Sequence, residues 1–243
     1  MLSFVSCEAP HEVLFVHGAG GTALLWERTM RSLSGHSKAY AVDLPGHPRG
    51  DISCNSVGDY SDAVHGFIGE GGLRRPVVCG HSMGGATALT LALSHPEDVG
   101  GLILVSTGAK LGVDQKIISG LHDQPMQTIE DVITPWSYYT IDLSLGREAR
   151  AAMSFSNLPV FLNDYLACQG FDVRADLQRI KVPTLVVCGD KDRMTPPKWS
   201  EYLNANIPNS TLKLIQDSGH MLPLERPGAL GGVVQSFLTG FTQ

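Results

Sequence analysis

Ser82 lies in Gly80-His81-Ser82-Met83-Gly84, directly after the apolar run Pro76–Cys79 and directly before a small-residue segment ending at Ser94. A G-x-S-x-G pentapeptide between a buried strand and a helix reads as a nucleophile elbow, a sharp turn that lifts the serine hydroxyl clear of the sheet. A serine hydroxyl attacks poorly until a base takes its proton. Among nine histidines, His220 occupies the right place. It follows the last apolar run, at a strand's carboxyl end, where open α/β sheets build their sites. His220 is therefore the expected general base. An acid must accept its Nδ1–H and stabilise the imidazolium. The loop after Pro183–Cys188 offers Asp190 and Asp192. Asp192 is assigned the role, because Asp190 follows the strand at once and is expected to fix the turn through backbone amides.

Acyl transfer also needs two donors for a developing oxyanion. The Met83 amide, at a helix start, supplies one. The second is expected from His17-Gly18-Ala19-Gly20-Gly21, with the Ala19 amide first and Gly20 as runner-up. His17 is expected to tie loops together. Gly18, Gly20, His81, Trp136, Tyr139, Phe155, Phe161 and Met221 are the candidates to line a substrate pocket. Neither HxH nor HExxH spacing occurs near these residues, so no metal is expected.

The elements that must carry these residues follow from hydrophobic periodicity. Short runs at Glu12–Val16, Lys38–Val42, Pro76–Cys79, Leu102–Ser106, Pro183–Cys188 and Thr211–Ile215 alternate with helical segments. Nearly continuous apolar strands imply a sheet covered on both faces, hence parallel strands with helical crossovers. The expected fold is α/β, a doubly wound, mostly parallel sheet, with Leu2–Ser6 as an antiparallel edge strand. Residues 107–181 lack a strand pattern but hold seven aromatics, and a loop that long without structure is improbable. They are read as a small helical insertion between two sheet strands, leaving 1–106 and 182–243 as the core.

Composition narrows the partners. The chain has 243 residues, 17 % charged, with net charge −6. It carries no basic footprint for nucleic acid. Five cysteines without CxxC spacing suggest reduced thiols and a cytoplasmic setting. No stretch reaches the ~20 apolar residues of a membrane span, and the first residues lack signal-peptide features. The expected assembly is a monomer or homodimer, and the aromatic content of 107–181 favours an apolar small-molecule partner.

Taken together, His17-Gly-Ala-Gly-Gly21, Asp43-Leu-Pro-Gly-His47, Gly80-His-Ser-Met-Gly-Gly85, Ser94-His-Pro-Glu97, Gly189-x-x-Asp192 with Pro196, and Gly219-His220 with Glu225 and Pro227 resemble the α/β-hydrolase superfamily over nearly the whole chain. The order Ser82, Asp192, His220 is that superfamily's order. The chain looks like the small-lidded esterase, lactonase and C–C hydrolase branch. That resemblance implies a cofactor-independent serine hydrolase that cleaves a small carboxylic ester through an acyl-enzyme. It equally admits non-ester chemistry on the same fold: C–C bond hydrolysis, lactone opening, hydroxynitrile cleavage or cofactor-free haloperoxidation. Two departures stand out: room for only one strand before the His-Gly strand, and Pro48-Arg49-Gly50-Asp51 where Gly-x-Ser is usual. A remote alternative is a dinucleotide-binding module, since Gly18–Ala23 fits G-x-G-x-x-A and Asp43 follows the next strand.

Overall fold

Alternation of side chains along each strand builds two apolar layers on opposite faces of one sheet. The computed structural model describes residues 2–4, 11–52, 54–140 and 157–240, so Phe155 lies outside the described residues. Strands β1 (Leu2–Phe4), β2 (Glu12–Val16), β3 (Lys38–Val42), β4 (Val77–His81), β5 (Gly101–Val105), β6 (Thr184–Gly189) and β7 (Ser210–Ile215) form it. Their order is β1-β3-β2-β4-β5-β6-β7. β1 runs antiparallel to β3, and every other pairing is parallel. This is the mostly parallel α/β sheet that the apolar runs imply.

Helices α1 (Glu27–Ser32), α2 (Val57–Glu70) and α3 (Met83–Ser94) make the crossovers as far as β5. Between β5 and β6 come α4 (Gln115–Asp123), α5 (Pro125–Thr128), a π turn at Ile129–Ile133, α6 (Thr134–Ser137) and α7 (Leu158–Gly170). The chain then continues through α8 (Pro197–Asn206), α9 (Leu222–Glu225) and α10 (Pro227–Thr239). Leu14, Val16, Val78, Leu102 and Val186 face one layer with Tyr60 and Val64 of α2 and Leu89 of α3. Val13, Phe15, Cys79, Ile103 and Val187 face the other with Trp26, Met30 of α1 and Val234 of α10. A period of two over these four strands is what buries both faces at once. A third apolar cluster, including Ile117, Ile118, Ile133, Phe161 and Tyr165, belongs to the helices between β5 and β6. No helix among the described residues is long and apolar enough to cross a membrane.

Candidate active site

Ser82 is the hinge between β4 and α3, with φ 53° and ψ −116°. A non-glycine residue held there stores roughly 1–3 kcal/mol of strain, tolerated only where the surroundings impose it. The surroundings do so. A side chain on Gly80 would strike the Gly84 carbonyl, and one on Gly84 the Val16 carbonyl, so strand and helix approach only because both are glycine. The Ser82 amide donates to the Val105 carbonyl at 3.0 Å, and the Thr107 hydroxyl to the Ser82 carbonyl at 2.8 Å.

His220 follows β7, and its Nε2 lies 3.0 Å from Ser82 Oγ. Its Nδ1 lies 3.0 Å from Asp192 Oδ2. The side chain of Asp192 is fully buried and that of His220 only 5 % exposed. Asp192 Oδ1 accepts the amides of Met194 (2.9 Å) and Thr195 (2.8 Å), and Oδ2 accepts the Thr195 hydroxyl at 2.8 Å. Burial pushes the Asp192 carboxyl up, but His220 and the Thr195 donors outweigh it and hold the pKa below the ordinary carboxylate value. An ionised Asp192 takes the Nδ1–H and leaves the Nε2 lone pair for the serine proton. Asp190 instead takes Lys191 Nζ at 2.8 Å and stands 3.5 Å from the Ser218 amide. Sequence reasoning missed Thr195, because no local pattern says that its hydroxyl turns back on Asp192.

Two further histidines surround this chain of hydrogen bonds without joining it. His81 Nε2 lies 2.9 Å from the His220 carbonyl, and burial together with the neighbouring His220 lowers its pKa to about 3. His17 Nε2 accepts the Leu44 amide at 3.0 Å, so its Nδ1 bears the proton that reaches the Gly18 carbonyl at 2.8 Å. Burial, reinforced by His47, lowers that pKa to about 3 as well. Both rings are neutral struts that fix the loops carrying His220 and Ala19.

A cavity of about 300 Å³ opens over Ser82. Gly18, Ala19, His81, Trp136, His220 and Met221 line it. Gly20, Tyr139 and Phe161, expected there, do not. The Phe161 ring fills the space that a side chain on Gly20 would need, so the two pack on each other behind the loop. Tyr139 is placed by its backbone, whose amide donates to Glu225 Oε2 at 3.0 Å, and the residue is 43 % exposed. Ile117, Ile133, Met194 and Trp199 complete the apolar wall. None was singled out, because an apolar helical face does not announce which neighbour it meets. The Gly20 amide, runner-up for the oxyanion, donates to Asp164 Oδ2 at 2.8 Å and is not free. Among the described residues, neither the Ala19 nor the Met83 amide has a hydrogen-bond partner. Asp43, the acid a dinucleotide would need, accepts the Ala23 amide at 2.7 Å. Loop and acid are thus occupied with each other's neighbours instead of cradling phosphate.

Away from the cavity, His65, His95 and Asp98 bring one potential metal donor each within 4.8 Å of one another. His65 Nε2 is 3.0 Å from Asp98 Oδ2, and the two rings stack at 3.8 Å, 9° from parallel. In-plane lone pairs of stacked rings run side by side and do not converge on one ion.

A parallel sheet with a strained serine at the carboxyl end of a central strand, and a histidine and aspartate converging on it, defines a class. The chain belongs to the alpha/beta hydrolase family, which matches residues 13–231, and it is a hydrolase. It is 28 % identical to a pimeloyl-[acyl-carrier protein] methyl ester esterase of Neisseria meningitidis serogroup B, over 96 % of this chain and 95 % of that protein. It is 29 % identical to a 2-hydroxy-6-oxononadienedioate/2-hydroxy-6-oxononatrienedioate hydrolase 2 of Pseudomonas putida, over 95 % and 88 % respectively. The solved structure of a thermophilic esterase superposes with a TM-score of 0.84 at 31 % identity, covering 94 % of this chain and 90 % of that one.

Proposed function

We propose that the protein hydrolyses a small, largely apolar carboxylic ester through an acyl-enzyme on Ser82. The observation that carries this reading is the relay of two 3.0 Å contacts, Ser82 Oγ to His220 Nε2 and His220 Nδ1 to Asp192, at the floor of an apolar cavity. The Ser82 oxygen attacks the ester carbonyl carbon while its proton passes to His220 Nε2. Asp192 stabilises the resulting imidazolium. The carbonyl oxygen, now negative, is held by the Ala19 and Met83 amides. Collapse of the tetrahedral intermediate expels the alcohol, which leaves with the proton from His220. Water then enters, and its oxygen bonds the acyl carbon as its proton passes to His220; collapse breaks the Ser82 Oγ–acyl bond, His220 returns the proton to Ser82, and the acid leaves. No cofactor takes part in this cycle. The helices of 107–181 act as the lid that keeps bulk water from the acyl-enzyme. Relatives described as ester hydrolases support the ester reading, and the C–C hydrolase among them marks the chemistry to test beside it.

A serine-directed phosphonate should label Ser82 alone. Ser82→Ala should lose the label and at least ~10³-fold in kcat on p-nitrophenyl esters. Labelling elsewhere, or turnover retained in the variant, overturns the mechanism. Lactones and vinylogous diketones in the same panel decide the scissile bond: a higher kcat/KM on a diketone than on any ester would replace the esterase assignment with C–C hydrolysis.

A further inference from the structure

Asp164 on α7 is completely buried, yet it has no place in the proton relay. Its Oδ2 accepts the Gly20 amide at 2.8 Å and stands 2.9 Å from His47 Nε2, while Oδ1 accepts the Tyr60 hydroxyl at 2.6 Å. These partners come from three separate elements: the loop after β2, the loop after β3, and α2. Stability alone does not call for such a group, since a buried ion pair is often matched by apolar packing of the same volume. What the carboxylate supplies is direction.

The loop it grips is the one that carries the Ala19 amide. In a trans peptide the Gly18 carbonyl and the Ala19 N–H point opposite ways. The Gly18 oxygen is held by His17 Nδ1 at 2.8 Å and the Gly21 amide at 3.0 Å, which sends the Ala19 N–H the other way. Among the described residues, the next peptide is held from α7. Gly20 adopts φ +63°, with the Phe161 ring where a side chain would be and Asp164 on its amide. Phe161 and Asp164 are three residues apart, so one face of one helix clamps the loop from both sides.

We propose that Asp164 is a positioning residue for the oxyanion hole, holding the Gly20 amide so that the neighbouring Ala19 N–H aims at the substrate oxygen. The helix that helps roof the cavity thereby also sets the hole. This rests on the acyl-enzyme reading of Ser82, and the experiment separates the two. Asp164→Asn keeps the shape but removes the charge and one acceptor. Its kcat on p-nitrophenyl butyrate should fall roughly ten- to hundredfold, less than outright loss of a donor, with KM within about threefold. Phosphonate labelling of Ser82 should slow by the same factor. Tyr60→Phe removes the Oδ1 partner without touching the loop, and should lower the Tm while kcat stays within about twofold. Phe161→Leu, which loosens Gly20 from its other side, should reproduce the kcat loss at unchanged KM and decides the matter if Asp164→Asn does not fold. The proposal is overturned if Asp164→Asn labels and turns over like wild type, if Tyr60→Phe loses as much kcat as Asp164→Asn, or if Phe161→Leu is unimpaired when Asp164→Asn cannot be made. Failure of the wild type itself to label at Ser82 would instead remove the acyl-enzyme reading.

Discussion

Two carboxylates two residues apart at the end of β6 have opposite fates, and hydrogen-bond geometry separates them. Asp192 is fully buried among two amides, a hydroxyl and His220, whereas Asp190 spends its charge on Lys191. Asp192→Asn should therefore lower kcat by ~10³–10⁴, because an amide at Oδ2 turns the imidazole to the wrong tautomer. Asp190→Asn should leave kcat within a fewfold in the same assay. Equal losses in the two variants would mean that the acid acts through the fold of the turn and not through His220. That Asp192 stands against His220 was legible from chain order and from the expectation that the first residue after a strand fixes a turn. Thr195, which donates to the same oxygen as His220 and stands 3.1 Å from its Nδ1, was not.

At the scale of elements, the helices between β5 and β6 supply much of the wall of the cavity over Ser82. A cavity of about 300 Å³ is at the low end of the usual ~300–1,000 Å³ for small-molecule sites. Specificity should peak at short to medium acyl chains or compact aromatic esters. A p-nitrophenyl ester series should show kcat/KM rising and then falling before about C12, with no jump at the micelle threshold; a continued rise would mark a flap that opens on lipid surfaces. Replacing Ile133 in the cavity wall by Ala should move the optimum to a longer chain, read from the same series. The apolar load of this insertion is plain in its composition, but the direction of each side chain is not. Phe161 packs on Gly20 in the loop after β2, Trp136 stands at the cavity although 46 % exposed, and Tyr139 is 43 % exposed. An aromatic in a short helix takes the direction its packing partner allows, and those partners lie far away in the chain.

Across the whole molecule, buried histidines set the response to acid. His17 and His81 have folded pKa values near 3, from burial first, against about 6.5 in the unfolded chain. Both are neutral on each side of the folding equilibrium above that value, and only the unfolded chain takes up protons below it. Each should cost on the order of 1.4 kcal/mol of stability per pH unit as pH falls from about 6.5 toward 3. His47 works the other way: burial lowers its pKa, but Asp164 outweighs this and raises it. Its contribution is fully present below about 6.5 and is lost as pH rises through the higher folded value. Urea midpoints should therefore be highest near neutrality and drop on the acid side with a slope of about two protons. A slope of about one proton between pH 6 and 4 would show that one strut takes up a proton in the native state, and a slope near zero that both do. Local pattern by itself determined the strands, their parallel order, the elbow at Ser82 and the place of His220, because each is written within a window of about ten residues by alternation, glycine spacing and strand ends. Only the tertiary structure decided that the Gly20 amide belongs to Asp164, 144 residues away, and that Phe161 lies behind the loop instead of over the serine. A contact of that span comes from how helix and sheet pack, which no local pattern encodes.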